Sequence, residues 1–179
     1  KKFDISQTFY SAKLKNEING FASHSEGGYT AKNMVSNSYR KGLETRINYN
    51  INRYSDASIC YDYVDSTQYN SSTGDQQAEN RRPRNLLNIN YNNNFFNNIS
   101  INSNIFYSSK VKDTDFSSYP YETVYMSSYY LFNTTLNYDV DSKNKVSVIF
   151  KNIFNREYEA VSGFNTPGFE VLINYRNNF

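Results

Sequence analysis

Segments in which apolar and polar side chains alternate, joined by connections that are by turns short and long, constrain this chain more than any other feature. Along residues 39–51 the sequence places Tyr39, Leu43, Thr45, Ile47, Tyr49 and Ile51 on one side and Arg40, Glu44, Arg46, Asn48 and Asn50 on the other. That is the period of a strand with one apolar face. The same alternation recurs around Ala57–Tyr63, Leu87–Phe95, Ile99–Val111, Tyr130–Val140, Val146–Phe150 and Phe169–Tyr175, and the seventh strand is expected to run from Lys145 to about Phe154. A first strand over residues 3–18 begins in phase with Phe3 and Ile5 and loses it at Phe9-Tyr10, which suggests a bulge. The connections near residues 52, 97 and 142 are tight, whereas those near 27, 76, 119 and 162 are long and polar or glycine-bearing.

This sorting of loops by end predicts an all-β fold: an antiparallel transmembrane β-barrel of which about eight strands are present. Such barrels have short turns at one rim, long loops at the other and strands of about ten residues. A soluble sandwich is the alternative, but its strands average about 5–6 residues and its loop lengths do not segregate. Composition fits the barrel. Mean hydropathy is only −0.77, yet a strand that lines a wet lumen needs a polar residue at every second position. Tyr49, Tyr91 and Tyr138 fall toward the short turns, and Tyr61, Tyr63, Tyr107 and Tyr130 toward the long loops. Two interfacial girdles, or the ordinary strand preference of tyrosine, account for them equally well.

Charge and reactive residues exclude several functions. The 19 basic and 17 acidic side chains are mixed along the chain, so there is no basic stripe and no nucleic-acid partner is expected. One cysteine, Cys60, and one histidine, His24, form no ligand cluster, so no metal site is expected. A small barrel enzyme would need a nucleophile, a base and a carboxylate together. His24 is the one candidate base and no motif surrounds it, so the chain is read as a non-enzyme.

The segment 117–126, SSYPYETVYM, and the segment 151–170, KNIFNREYEAVSGFNTPGFE, carry a resemblance. They are similar to the closing part of TonB-dependent outer-membrane receptors and, within that family, to receptors for cobalamin (vitamin B12). The run Asn152-Ile153-Phe154 to Tyr158, with Gly168 before the last strand, is shared widely in the family, whereas Ser117 to Tyr121 with Thr123 is the more specific match. Weaker matches run through Lys41-Gly42-Leu43-Glu44 and residues 61–65. The resemblance implies the last eight strands of a 22-stranded, plugged barrel, with residues 1–179 as its C-terminal portion. The plug, the TonB-contacting segment and the first strands would precede Lys1. It also implies capture of cobalamin on extracellular loops, an outer-membrane location with the lipid bilayer as solvent, and TonB acting through the missing N-terminal part. A siderophore or another ligand is the alternative cargo. Calcium in the family orders loops upstream, so no cofactor is expected in this segment.

Two contact positions carry over from the family: Arg81, or Arg82 if the loop is shifted by one, and the aromatic before SSYPY, here Phe116. An ordinary rim arginine is the competing reading of the first. Tyr119 and Tyr121 are further candidates, although loop tyrosines also pack their own loop. The last strand, with Val171, Ile173, Tyr175 and the terminal aromatic Phe179, resembles the signal read by the outer-membrane barrel assembly machinery. Asn177 stands where an aromatic is common.

Overall fold

The computed structural model describes residues 2–23, 27–70, 73–117 and 119–178. Eight long strands form one antiparallel meander: β1 (Phe3–Leu14), β4 (Ser38–Asn50), β5 (Ser55–Tyr69), β7 (Asn85–Phe96), β8 (Ile99–Ser108), β11 (Tyr129–Asp139), β12 (Asn144–Lys151) and β13 (Glu170–Asn177). They pair in that order, so each strand lies beside its neighbours in the chain. A ninth short strand, β6 (Gln76–Ala78), adds to the far end of β5, and two hairpins stand apart, β2 (Ile18–Ser23) with β3 (Tyr29–Asn33) and β9 (Val111–Asp115) with β10 (Glu122–Met126). Apart from their first residues, Ile18 and Val111, both hairpins lie where the sequence pattern reads as loop; the strands expected to reach those two residues stop earlier, β1 at Leu14 and β8 at Ser108. Each hairpin is an excursion of a long connection, beyond the reach of the main sheet's periodicity.

Register puts the apolar positions in continuous rows. Ile5, Ile47, Ile59, Ile89, Ile105 and Phe132 are successive cross-strand partners on six strands. Toward the tight turns lies Phe3–Tyr49–Ala57–Tyr91, and toward the long connections Phe9–Leu43–Tyr63. Tyr138 and Tyr130 mark the two ends of β11 on the same face, about 26 Å apart at roughly 3.3 Å per residue. With a strand tilt near 40° this is about 20 Å of height, close to the apolar band of a membrane barrel.

Those rows are not covered. Among the described residues only Val111 and Met126 are buried apolar side chains, and both belong to the β9–β10 hairpin. Ile5, Ile105, Ile173 and Tyr175 are 56%, 40%, 76% and 62% exposed. A compact soluble protein of 20.9 kDa would expose about 9,000 Å², whereas this chain exposes 12664 Å². A sandwich requires a second sheet over that face, and among the described residues none of the other strands supplies one. The sandwich alternative is thereby set aside.

The opposite face is polar and internally bonded. One file of side chains runs Asp56–Asn92–Asn102–Asn137–Ser147 across five strands, each step a hydrogen bond of 2.7–2.9 Å. A second links Ser58, Asn90, Asn104 and Asn133 and ends on the backbone N–H of Asn152, which donates to Asn133 Oδ1 at 2.9 Å. Asparagine suits this role because its amide donates to one neighbouring strand while accepting from the other.

Three expectations need correction. No bulge interrupts β1, since Phe9 pairs Leu43 and Tyr10 pairs Gly42 in unbroken register. The apparent loss of phase is Tyr10 lying on the polar face, where Gly42 leaves room for its ring. A Cβ on Gly42 would stand 2.6 Å from the Tyr10 hydroxyl. The bulge falls instead between Asn94 and Phe96, so Phe96 takes the position opposite Ile99 on the apolar face. Finally, β12 ends at Lys151 and does not reach Phe154, because Asn152 adopts a left-handed conformation (φ 47°) that an extended strand does not contain.

Candidate functional site

The long connections, 15–37, 70–84, 109–128 and 152–169, all leave the end of the sheet opposite the tight turns, and polar bonds join them in sequence. Arg40 donates to Glu17 at 2.5 Å and to both Glu79 oxygens at 2.9 and 3.1 Å. Arg82 also grips Glu79, at 2.9 and 3.1 Å, and the Ser66 hydroxyl donates to the same carboxylate. The second connection then reaches the third: Arg81 N–H donates to Lys112 O at 2.8 Å, Lys112 Nζ to Gln77 Oε1 at 2.8 Å, and Asn80 Nδ2 to Thr114 Oγ1 at 3.0 Å.

Burial alone would raise the Glu79 carboxyl, but the hydrogen bonds from Arg82, Arg40 and Ser66 outweigh it and hold it at about 2. A folded value below the ordinary 4.5 means that its contribution is complete above pH 4.5 and is lost as the pH falls toward 2. A nitroxide at Ala78 in β6 is therefore expected to gain mobility across that window. In a Glu79→Gln background the same label is expected to be mobile at neutral pH and to show no such step.

Asp113 ties the third connection to the second and the fourth. It is fully buried (0% exposed). Oδ1 accepts from Arg81 Nε and from its neighbour's Thr114 N–H, both at 2.8 Å, and Oδ2 accepts from Ser162 N–H at 2.9 Å. Burial pushes this carboxyl up, but the donors from Ser162, Thr114 and Arg81 prevail and keep it below the usual range. One carboxylate thus serves three donors on three segments.

The fourth connection straddles the end of β11. Asn152, 4% exposed, accepts from Arg156 N–H at 2.8 Å and donates to the carbonyls of Arg156 (2.9 Å) and Pro167 (3.3 Å). From that turn Phe154 stacks on Phe132 (5.8 Å) on the apolar face. Tyr158 stacks on Tyr129 (4.3 Å), whose cross-strand partner Ser108 lies on the polar face. Asn155 Oδ1 accepts from Phe169 N–H, and a Cβ on Gly168 would collide with that same oxygen. The Asn-Ile-Phe to Tyr run and its glycine are therefore one clamp. Between this connection and the start of β11 lies a cavity of about 770 Å³, lined among others by Tyr125, Tyr129, Arg156, Glu157, Tyr158 and Thr166.

The structure brings together three of the sequence-derived candidates. Phe116 and Tyr121 meet edge to face at 5.0 Å, Tyr121 and Tyr119 at 5.7 Å, and the three rings are 61%, 53% and 87% exposed at the tip of the β9–β10 hairpin. Arg81 stands at the base of the same hairpin, bonded through Nε to Asp113 and with its side chain 46% exposed. Arg82 is taken up by Glu79. Val171, Ile173 and Tyr175 lie on the apolar face of β13 opposite Phe150, Val148 and Val146. Phe179 and His24 lie outside the described residues. Sequence reasoning missed Asp113 and Glu79, which sit in charged stretches that read as solvated loop. Much of their signal lies across long separations: Asp113 meets Arg81 and Ser162 from two other connections, and Glu79 meets Arg40 of β4 as well as Arg82 three residues on.

No family model matches the sequence. Solved structures do match. The FrpB iron transporter from Neisseria meningitidis superposes with a TM-score of 0.77 at 14% identity, over 99% of this chain and 29% of that one. A ferric enterobactin receptor from Pseudomonas aeruginosa, in complex with enterobactin, gives 0.75 at 18% over 99% and 29%. The ferripyoverdine receptor of the outer membrane of Pseudomonas aeruginosa gives 0.75 at 15% over 99% and 25%. The chain spans about a quarter of the length of these proteins. Its fold is all-β and antiparallel, and it matches the C-terminal barrel portion of such receptors.

Proposed function

We propose that this chain is the closing portion of a TonB-dependent receptor barrel in the Gram-negative outer membrane, and that the complete protein imports a metal chelate of the siderophore kind. One observation carries the reading: a single antiparallel sheet whose apolar face is left bare and whose long connections are knitted together at one end. A bare apolar face is stable against lipid, and strand edges are tolerated in lipid only when paired, which the remaining strands of a larger barrel would provide. The likeness to receptors for ferripyoverdine and ferric enterobactin, and to an iron transporter, supports the choice of cargo. The knitted end would then face the medium. The tip rings Phe116, Tyr119 and Tyr121 offer aromatic surface for a chelate's own rings, Arg81 offers donors to an anionic rim, and the cavity beside the fourth connection falls in the size range of small-molecule sites.

Cobalamin is the second reading, favoured by the Ser117 to Tyr121 and Thr123 match. In the family this resemblance points to, a tyrosine is common at the position of Phe116; without that hydroxyl, any hydrogen bond made there is lost. The experiment is uptake by cells carrying the complete gene, using radiolabelled ferric enterobactin and radiolabelled cyanocobalamin side by side. Iron uptake that excess ferric siderophore suppresses and cyanocobalamin does not is the expected result, and the converse would install cobalamin. In the same cells Tyr119→Ala and Tyr121→Ala are each expected to weaken binding of the transported ligand by up to about tenfold.

A further inference from the structure

We propose that Asp113 is a positioning residue of this capture site: its buried carboxylate fixes the Arg81 guanidinium beneath the aromatic tip and at the same time holds the fourth connection at Ser162. This rests on the capture reading above and adds to it a physical link between the hairpin that meets ligand and the connection that walls the cavity. The geometry is specific. Asp113 lies in β9, directly below the tip that begins at Phe116, and it is the most deeply buried charged side chain described. Removing it strands the Arg81 Nε and the Ser162 N–H together. Among the described residues no other side chain bonds to either donor. Arg81 itself has φ 58°, a left-handed conformation uncommon for arginine, and its backbone is pinned to Lys112. The guanidinium is thus held from both its backbone and its Nε, leaving its terminal nitrogens as the donors presented to a ligand. The Val161–Phe164 turn, closed by Phe164 N–H on Val161 O, carries Ser162 as its bonded member, so the turn moves with Asp113.

The test uses the complete receptor in detergent, with Cys60→Ser and a nitroxide placed at Phe164 in the turn or, as a control, at Leu136 on the sheet. A heat-modifiable gel shift confirms that each variant is folded. Without ligand, Asp113→Ala is expected to mobilise the label at 164 and leave the label at 136 unchanged. Asp113→Asn retains an acceptor for Ser162 N–H but presents an amide to Arg81. It is expected to keep the label at 164 near its native mobility while still weakening binding of ferric enterobactin, or of cyanocobalamin if that is the ligand bound. A general loss of structure would move both readouts. In binding, Arg81→Ala and Asp113→Ala are each expected to cost about tenfold, and the double variant no more than either alone. An unmoved label at 164 in Asp113→Ala overturns the clamp, and losses that multiply in the double variant overturn the positioning of Arg81. If neither probe binds the native receptor, the capture reading fails, and the label experiment still decides whether Asp113 holds the fourth connection.

Discussion

Replacing Ile105 with Arg is expected to destabilise the membrane-inserted barrel by about 2–4 kcal/mol, the cost of an arginine near the bilayer midplane. Ile105 lies in the central apolar row, between Ile89 and Phe132, well away from both aromatic ends. At 40% exposed it is already presented outward. The matched control is Glu44→Arg on the polar face of β4, an exposed position that pairs Thr8 and Asp62. There an arginine meets water, and the change is expected to stay within about 0.5 kcal/mol. Urea titration of the complete protein refolded into liposomes measures both. The expected gap is roughly 30- to 900-fold in the folding equilibrium constant. Equal effects at the two sites would mean that the apolar rows do not face lipid, and the barrel reading would go with them.

Asn152→Ala is expected to release the fourth connection while leaving the sheet intact. The substitution removes three hydrogen bonds made by the amide, each worth about 0.5–1.5 kcal/mol. It also places alanine at φ 47°, which adds about 1 kcal/mol of strain. The sum, about 4 kcal/mol, would raise trypsin cleavage after Arg156 on the order of 1,000-fold if cleavage follows local opening. Asn152→Gly separates the two parts, since glycine accepts the left-handed backbone and loses only the hydrogen bonds. Its cleavage rate is expected between those of the native protein and Asn152→Ala. A native cleavage rate in Asn152→Ala would show that the stacked rings of Phe154 and Tyr158 suffice to hold the connection. The β11–β12 pairing from Thr134 to Lys145 does not depend on this amide and is expected to persist.

How far each feature was legible depends on the distance over which its cause acts. The rows of the sheet were legible because alternation is local: Ile47, Tyr49 and their neighbours reveal a face without reference to any other strand. Tight turns such as 141–144 were legible too, since Asp141 bonds the N–H groups of Lys143 and Asn144 within its own turn. The Phe95–Phe96 pair was misread because a bulge is a mismatch between two strands, and one strand examined alone does not show it. The hairpins β2–β3 and β9–β10 were hidden for a similar reason, lying inside polar stretches whose pairing is set by their own partner strand. Asp113 looked like one more solvated loop charge. What makes it a buried hub is Arg81 arriving from one side and Ser162 from the other.

Strands with one apolar and one polar face, and connections that sort by length to opposite ends, are already written in the order of the side chains. Those properties follow from side-chain periodicity and turn chemistry, which act over a few residues. It took the paired strands to show that no described element covers the apolar face, that asparagine amides tie the polar face into files, and that Glu79 and Asp113 bind the long connections into one body. Each of these depends on which strands become neighbours, and a carboxylate is stabilised in a buried position only when donors distant in sequence converge on it.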